Sequence, residues 1–211
     1  MTWLPGDLLF FTGPWSDRTA AIIRLATARP LRIVGPWFGP SHVGGIIIDD
    51  GRPRLIESTT LSQHPCLING VCTSGAQAHV PEERIIEYLQ AGGKVAVYRL
   101  ANDRQLDEYQ SERLRRTATK FVTAEVQYDL RGAILSGTRW LRWFAPHADA
   151  HSLFCSEMWG RWLADLNCID NGGSGWMSPY ALLRRVLENG VYELRQTWRA
   201  RDLHLFVGSG E

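Results

Sequence analysis

The chain is poor in lysine, cysteine, net charge and long apolar runs. Lys+Arg is 23 against 22 for Asp+Glu, a net charge of +1. That balance argues against a protein whose main task is to coat nucleic acid or an anionic membrane. Four cysteines in 211 residues are too few for a disulfide-held scaffold. The longest apolar runs, such as Gly44-Gly45-Ile46-Ile47-Ile48, fall far short of the ~18–20 residues that span a bilayer. The start, Met1-Thr2-Trp3-Leu4-Pro5-Gly6-Asp7, lacks the basic and apolar regions of a secretory signal. The expectation is a chain that is cytoplasmic as synthesised, with its cysteines as thiols and export by a non-classical route left open. Only Lys94 and Lys120 are lysines. A coding bias towards arginine is the simplest account, and a preference for bidentate carboxylate or phosphate contacts the sharper one.

What is present suits a folded domain. Hydrophobic residues make up 45% and charged residues 21%, enough for a real core. Nine tryptophans are available to fill that core or line a cleft. Leu8 to Phe11 reads as a short buried strand behind the Pro5-Gly6-Asp7 turn. Ser16 can cap a helix over 17–28. Ser41 to Ile48 and Arg54 to Ser58 read as two strands joined at Asp49-Asp50-Gly51. Lys94 to Leu100 is a further strand. Asn102 and Gln105 resemble a capping box opening a helix of about 17 residues. A second helix starts near Leu153-Phe154-Cys155 and runs to about Leu166, with Trp159 and Trp162 on one face, read as core. Ser178-Pro179 opens another helix, which Asn189-Gly190 ends. Val191 to Trp198 reads as the last strand. No repeat or interior linker shows, so residues 1–211 read as one α+β domain. Within it, 61–80 reads as a long loop or insertion and 176–211 as a C-terminal helix–strand extension.

Three side chains in this frame suggest nucleophilic chemistry. A tight hairpin at Asp49-Asp50 would set His42 directly opposite Glu57, about 5 Å apart at Cβ. A carboxylate there fixes the imidazole tautomer and stabilises the imidazolium. Cys155 stands at a predicted helix N-terminus, where backbone N–H groups and the helix dipole favour a thiolate. Those N–H groups, with Ser156 next in line, can also bind an oxyanion. Together the three form a device for acyl transfer, in which Cys attacks while His takes and returns a proton.

The motifs in chain order are Gly6-Asp7-Leu8-Leu9-Phe10-Phe11, Ser41-His42-Val43-Gly44, Leu55-Ile56-Glu57-Ser58, Gln127-Tyr128-Asp129 and Phe154-Cys155-Ser156-Glu157. This set resembles the circularly permuted branch of the NlpC/P60 papain-like hydrolases, and more closely the bacterial YiiX/YaeF/YebB-type proteins, over residues 4–60 and 94–165. The resemblance implies a papain-like fold, with a Cys-bearing helix packed on a small antiparallel sheet that carries the His. It implies Cys155 as nucleophile, His42 as base, Glu57 as third member and Tyr128 near the reacting centre, with no cofactor. The chain departs from the pattern in its longer segment from Gln63 to Ser74 and in the aromatic approach to Cys155 formed by Trp140, Trp143, His147 and His151.

The function these residues point to is a cysteine hydrolase cleaving an amide in a peptidoglycan stem peptide or another peptide or acyl amide. A lipid-directed acyltransferase or lipase on the same triad, and a non-catalytic binding module, are the alternatives. No nucleic-acid partner is expected, and no metal: Cys66 and Cys72 are too far apart for a tight CxxC zinc site. They read as free loop thiols, or as a disulfide in an oxidising compartment. Cys168, after Leu166-Asn167, reads as inert.

Overall fold

A computed structural model of the chain describes residues 1–13, 39–59, 62–72, 74–125, 155–170, 177–188 and 190–207. Six strands form one antiparallel sheet: β1 (Leu8–Thr12), β2 (His42–Asp49), β3 (Arg52–Thr59), β4 (Gly75–His79), β5 (Lys94–Leu100) and β6 (Tyr192–Arg199). Their spatial order is β4-β3-β2-β1-β5-β6. Five helices are described: α1 (Pro81–Gln90), α2 (Glu108–Thr123), α3 (Cys155–Asp165), α4 (Pro179–Glu188) and the short α5 (His204–Val207).

Period-two alternation gives the sheet two apolar faces. Leu9, Phe11, Ile46, Leu55, Val95 and Val97 meet Ile85 and Leu89 of α1. Leu8, Phe10, Val43, Ile47, Ile56 and Ala78 meet α2, α3 and α4 on the other side. The first turn of the chain is tied to the sheet by Asp7, which is buried and takes a two-pronged contact from Arg99 at 2.8 and 2.7 Å.

The β2–β3 hairpin differs from its expected register. Asp50 and Gly51 both have positive φ, 49° and 73°, and form a two-residue turn that pairs Asp49 with Arg52. Glu57 therefore lies across from Gly44, not from His42. The shift is two residues, so His42 and Glu57 stay on one face as diagonal neighbours.

The long helix after β5 starts later than Asn102. Asn102–Arg104 make one 3-10 turn, and the Gln105 side chain donates to Leu100 O. The cap is Asp107, whose Oδ1 accepts from Gln110 N at 2.7 Å while Gln110 Oε1 accepts from Asp107 N. The segment 61–80 is not loop throughout. It ends in β4, and Leu67 N donates to Ala78 O at 2.8 Å, which stitches the loop before it to the sheet. The C-terminal extension joins the main sheet, because β6 pairs with β5. Ser178 does cap α4, accepting from Ala181 N at 3.2 Å.

Trp159 and Trp162 are buried and meet edge to face at 5.1 Å. All four cysteines are free: Cys66 and Cys155 buried, Cys72 exposed, Cys168 half-buried. Burial pushes the Cys168 thiol up to about 11. No helix among the described residues is long and apolar enough to cross a membrane. The helix expected over 17–28, Tyr128, Asp129, Trp140, Trp143, His147, His151 and the glycine-rich 171–175 lie outside the described residues.

Candidate active site

His42 opens β2, at the end of the sheet. Ser41 fixes the approach: its N–H donates to Phe11 O at 2.9 Å, and its Oγ accepts from Gly13 N at 3.2 Å. The imidazole is 7% exposed and lies against the Phe11 ring, which belongs to its partner residue on β1. Glu57, fully buried, reaches it along the diagonal, with Oε2 2.6 Å from His42 Nε2. Gly44 makes room for that reach. A Cβ there would sit 2.8 Å from Leu55 Cδ1 and 3.3 Å from Glu57 Cβ.

Nε2 is engaged by the carboxylate, and Cys155 is near enough to act on the ring by charge and side-chain hydrogen bonding. Cys155 is 2% exposed and is the first residue of α3. The helix is seated by Trp159, which lies flat over Gly45 and donates from Nε1 to Ile56 O at 2.9 Å. Gly45 is the residue that permits this, since any Cβ there would fall 2.5–2.7 Å from the indole. Thus α3 packs on one face of the sheet and brings its first residue to the strand end where His42 and Glu57, from the other face, meet it. First-turn N–H groups of α3 have no partner within the helix and can accept an oxyanion. The Ser156 hydroxyl is already committed, donating to Met177 O at 2.5 Å, which leaves only its backbone N–H for the oxyanion role expected there.

The electrostatics follow from burial and pairing. Burial alone would lower His42, but the charge of Cys155 and the hydrogen bond with it, followed by Glu57, raise it to about 9. Burial alone would push Glu57 up. The Arg84 guanidinium and the hydrogen bonds from His42 and His79 prevail and hold it well below the usual carboxylate range. Both neighbours therefore favour the imidazolium form of the ring.

Three residues of this site escaped the sequence reading. Arg84 donates to both oxygens of Glu57, and His79 Nδ1 lies 2.9 Å from Oε1. Tyr88 stacks parallel to His42, 6.4 Å between centroids at 6°, and packs on Phe11 at 4.4 Å. Burial holds the Tyr88 phenol above its ordinary range, so it is a neutral O–H at the site. Arg84 and Tyr88 are four apart on α1. The signal for that helix is Val80-Pro81-Glu82-Glu83, a proline at the helix start with acids in the first turn. Among the described residues no group of three or more His, Cys, Asp or Glu is placed to hold a metal ion.

No family model and no curated protein matches the chain. Among solved structures, the crystal structure of metalloprotein yiiX from Escherichia coli O157:H7 is similar with a TM-score of 0.47 and 17% identity. The match covers 79% of this chain and 67% of that one.

Proposed function

We propose that the protein is a cysteine hydrolase that cleaves an amide in a peptide, a peptidoglycan stem peptide or another acyl amide. The observation that carries the reading is His42 held between Glu57 Oε2 at 2.6 Å and the thiol of Cys155 at a helix start. The resemblance of the ordered motifs to permuted NlpC/P60 hydrolases supports it.

In this reading the Cys155 thiolate attacks the amide carbon and the carbonyl π electrons move to oxygen. The oxyanion is met by first-turn N–H groups of α3. His42 gives its proton to the leaving nitrogen as the C–N bond breaks, which leaves a thioester on Cys155 and a free amine. Neutral His42 then takes a proton from water, and the resulting hydroxide adds to the thioester carbon. Collapse releases the carboxylic acid and restores the thiolate–imidazolium pair. Glu57 keeps the ring oriented and does not take the proton.

Selective alkylation tests this. Exposure alone would make Cys72 the fastest cysteine to react with iodoacetamide and Cys155 among the slowest. The proposal requires Cys155 to be modified first, and Cys155→Ala to abolish amide turnover with the fold intact. Labelling that follows exposure, or a Cys155→Ala variant with full turnover, would sink it.

A further inference from the structure

Arg84 is 1% exposed, and each of its three guanidinium nitrogens donates to a carboxylate. Nε donates to Glu57 Oε1 at 2.5 Å and Nη2 to Oε2 at 3.2 Å, while Nη1 donates to Glu87. The guanidinium carbon also lies 5.2 Å from the centre of the Tyr88 ring. An arginine buried to this degree is costly, and a residue that only filled the volume would be apolar.

The groups around Glu57 show what the cation does. His42 approaches from β2, His79 from β4, and Arg84 and Tyr88 from α1. Glu87 of α1 stands behind Arg84, and Cys155 of α3 lies beyond His42. His79 is itself fixed by Ser62, with Oγ 2.9 Å from Nε2. His64 lies 3.9 Å from both Glu83 and Glu87 at the surface of this cluster. A buried carboxylate facing only an imidazolium can neutralise both by taking its proton. A guanidinium does not give up its own proton in the working range, and its fork fits both carboxylate oxygens.

We propose that Arg84 is a positioning residue of the Cys155–His42–Glu57 site, holding Glu57 as a carboxylate aimed at His42 so that the shared proton stays on the imidazole. The inference rests on the reading of Cys155 as the nucleophile. Arg84 acts through Glu57 and does not touch the reacting atoms.

The test is the pH profile of Cys155 alkylation by iodoacetamide, followed by mass on the full chain. It is run from about pH 4 to about pH 9 on the wild type, Arg84→Met and Arg84→Lys, a range that spans the ordinary Glu and His titrations. Loss of the cation lets Glu57 protonate at higher pH, and the imidazolium and thiolate then lose support together. The acid limb of Arg84→Met is expected to move up by about one pH unit or more, the scale of an arginine–carboxylate interaction. Arg84→Lys keeps the charge without the fork and moves the limb the same way by less. If Arg84→Met does not fold, the lysine variant decides alone. A limb at its wild-type position, with rates lowered by the same factor at every pH, is the signature of a merely structural arginine and overturns the proposal. Wild-type Cys155 reacting no faster than the other cysteines overturns the nucleophile reading as well, before any Arg84 variant is compared.

Discussion

In the proposed mechanism His42 carries opposed demands, since it would hold a proton for the leaving group and yet sits in a buried place that disfavours charge. Cys155 and Glu57 settle the conflict and raise it to about 9 from 6.5. A histidine raised in the folded state contributes stability that is fully present below its ordinary value and is lost as pH rises through the folded value. The thermal midpoint of the wild type should therefore fall between about pH 6.5 and about pH 9. In His42→Phe that slope should largely vanish, and an unchanged slope would show that the imidazolium is not held by the fold. Glu57 has the opposite sign: its stabilising contribution is present above the ordinary carboxylate value and is lost only as pH falls through its depressed one. Tyr88→Phe keeps the ring that stacks on His42 and Phe11 and removes only the hydroxyl. It should shift the thermal midpoint by only a few °C, because one hydroxyl adds on the order of 1 kcal/mol to stability. A fall in turnover with Cys155 alkylation unchanged would place that hydroxyl at the substrate, and a fall in both would place it at the thiol.

At the scale of elements, the site depends on how α3 is set on the sheet. Trp159 and Gly45 form the joint, with no space for even a methyl group between ring and strand. Gly45→Ala must displace a rigid indole and the Nε1 hydrogen bond to Ile56 O. It should cost about 1–3 kcal/mol in denaturant unfolding, as overpacking does. It should also slow Cys155 alkylation, because the displaced helix carries the thiol. A stability loss with unchanged alkylation would separate the joint from the site. Asp107→Ala is the matching control on α2. Loss of the cap should cost about 1 kcal/mol and leave Cys155 reactivity as it was. The hairpin shows how far local chemistry reaches. Strand identity and face follow from alternation, so His42 and Glu57 could be placed together from sequence. Their register depended on which two residues make the turn, and Asp50-Gly51 took the positive-φ positions in place of Asp49-Asp50.

Over the whole molecule, the side chains of the candidate site are assembled from both faces of one sheet at one strand end. Five of the six strands, the Cys155 helix start and the pair His42–Glu57 were legible, because residue type and period carry them. Arg84 was not. A helix written Pro-Glu-Glu-Arg-Ile-Ile-Glu-Tyr-Leu-Gln looks like a solvated surface element, and nothing local marks its arginine as interior. Its partner Glu57 lies 27 residues away on a strand, and only the packing of α1 on the sheet joins them. His79 was hidden for a related reason, since its strand lies inside a segment whose Pro, Gly and Ser content reads as loop. Sequence thus exposes the groups proposed to react, while the groups that hold them appear only once the layers are stacked.

The central claim is that Cys155 forms an acyl-enzyme. The most direct measurement is the intact mass of the full chain after exposure to a pool of peptide and acyl-amide substrates, with the adduct mapped by digestion. The account predicts a single acyl adduct on Cys155, lost by hydrolysis over time and absent from Cys155→Ala. Turnover of any of those amides with no adduct at Cys155, or an adduct on another cysteine that persists in Cys155→Ala, would contradict it.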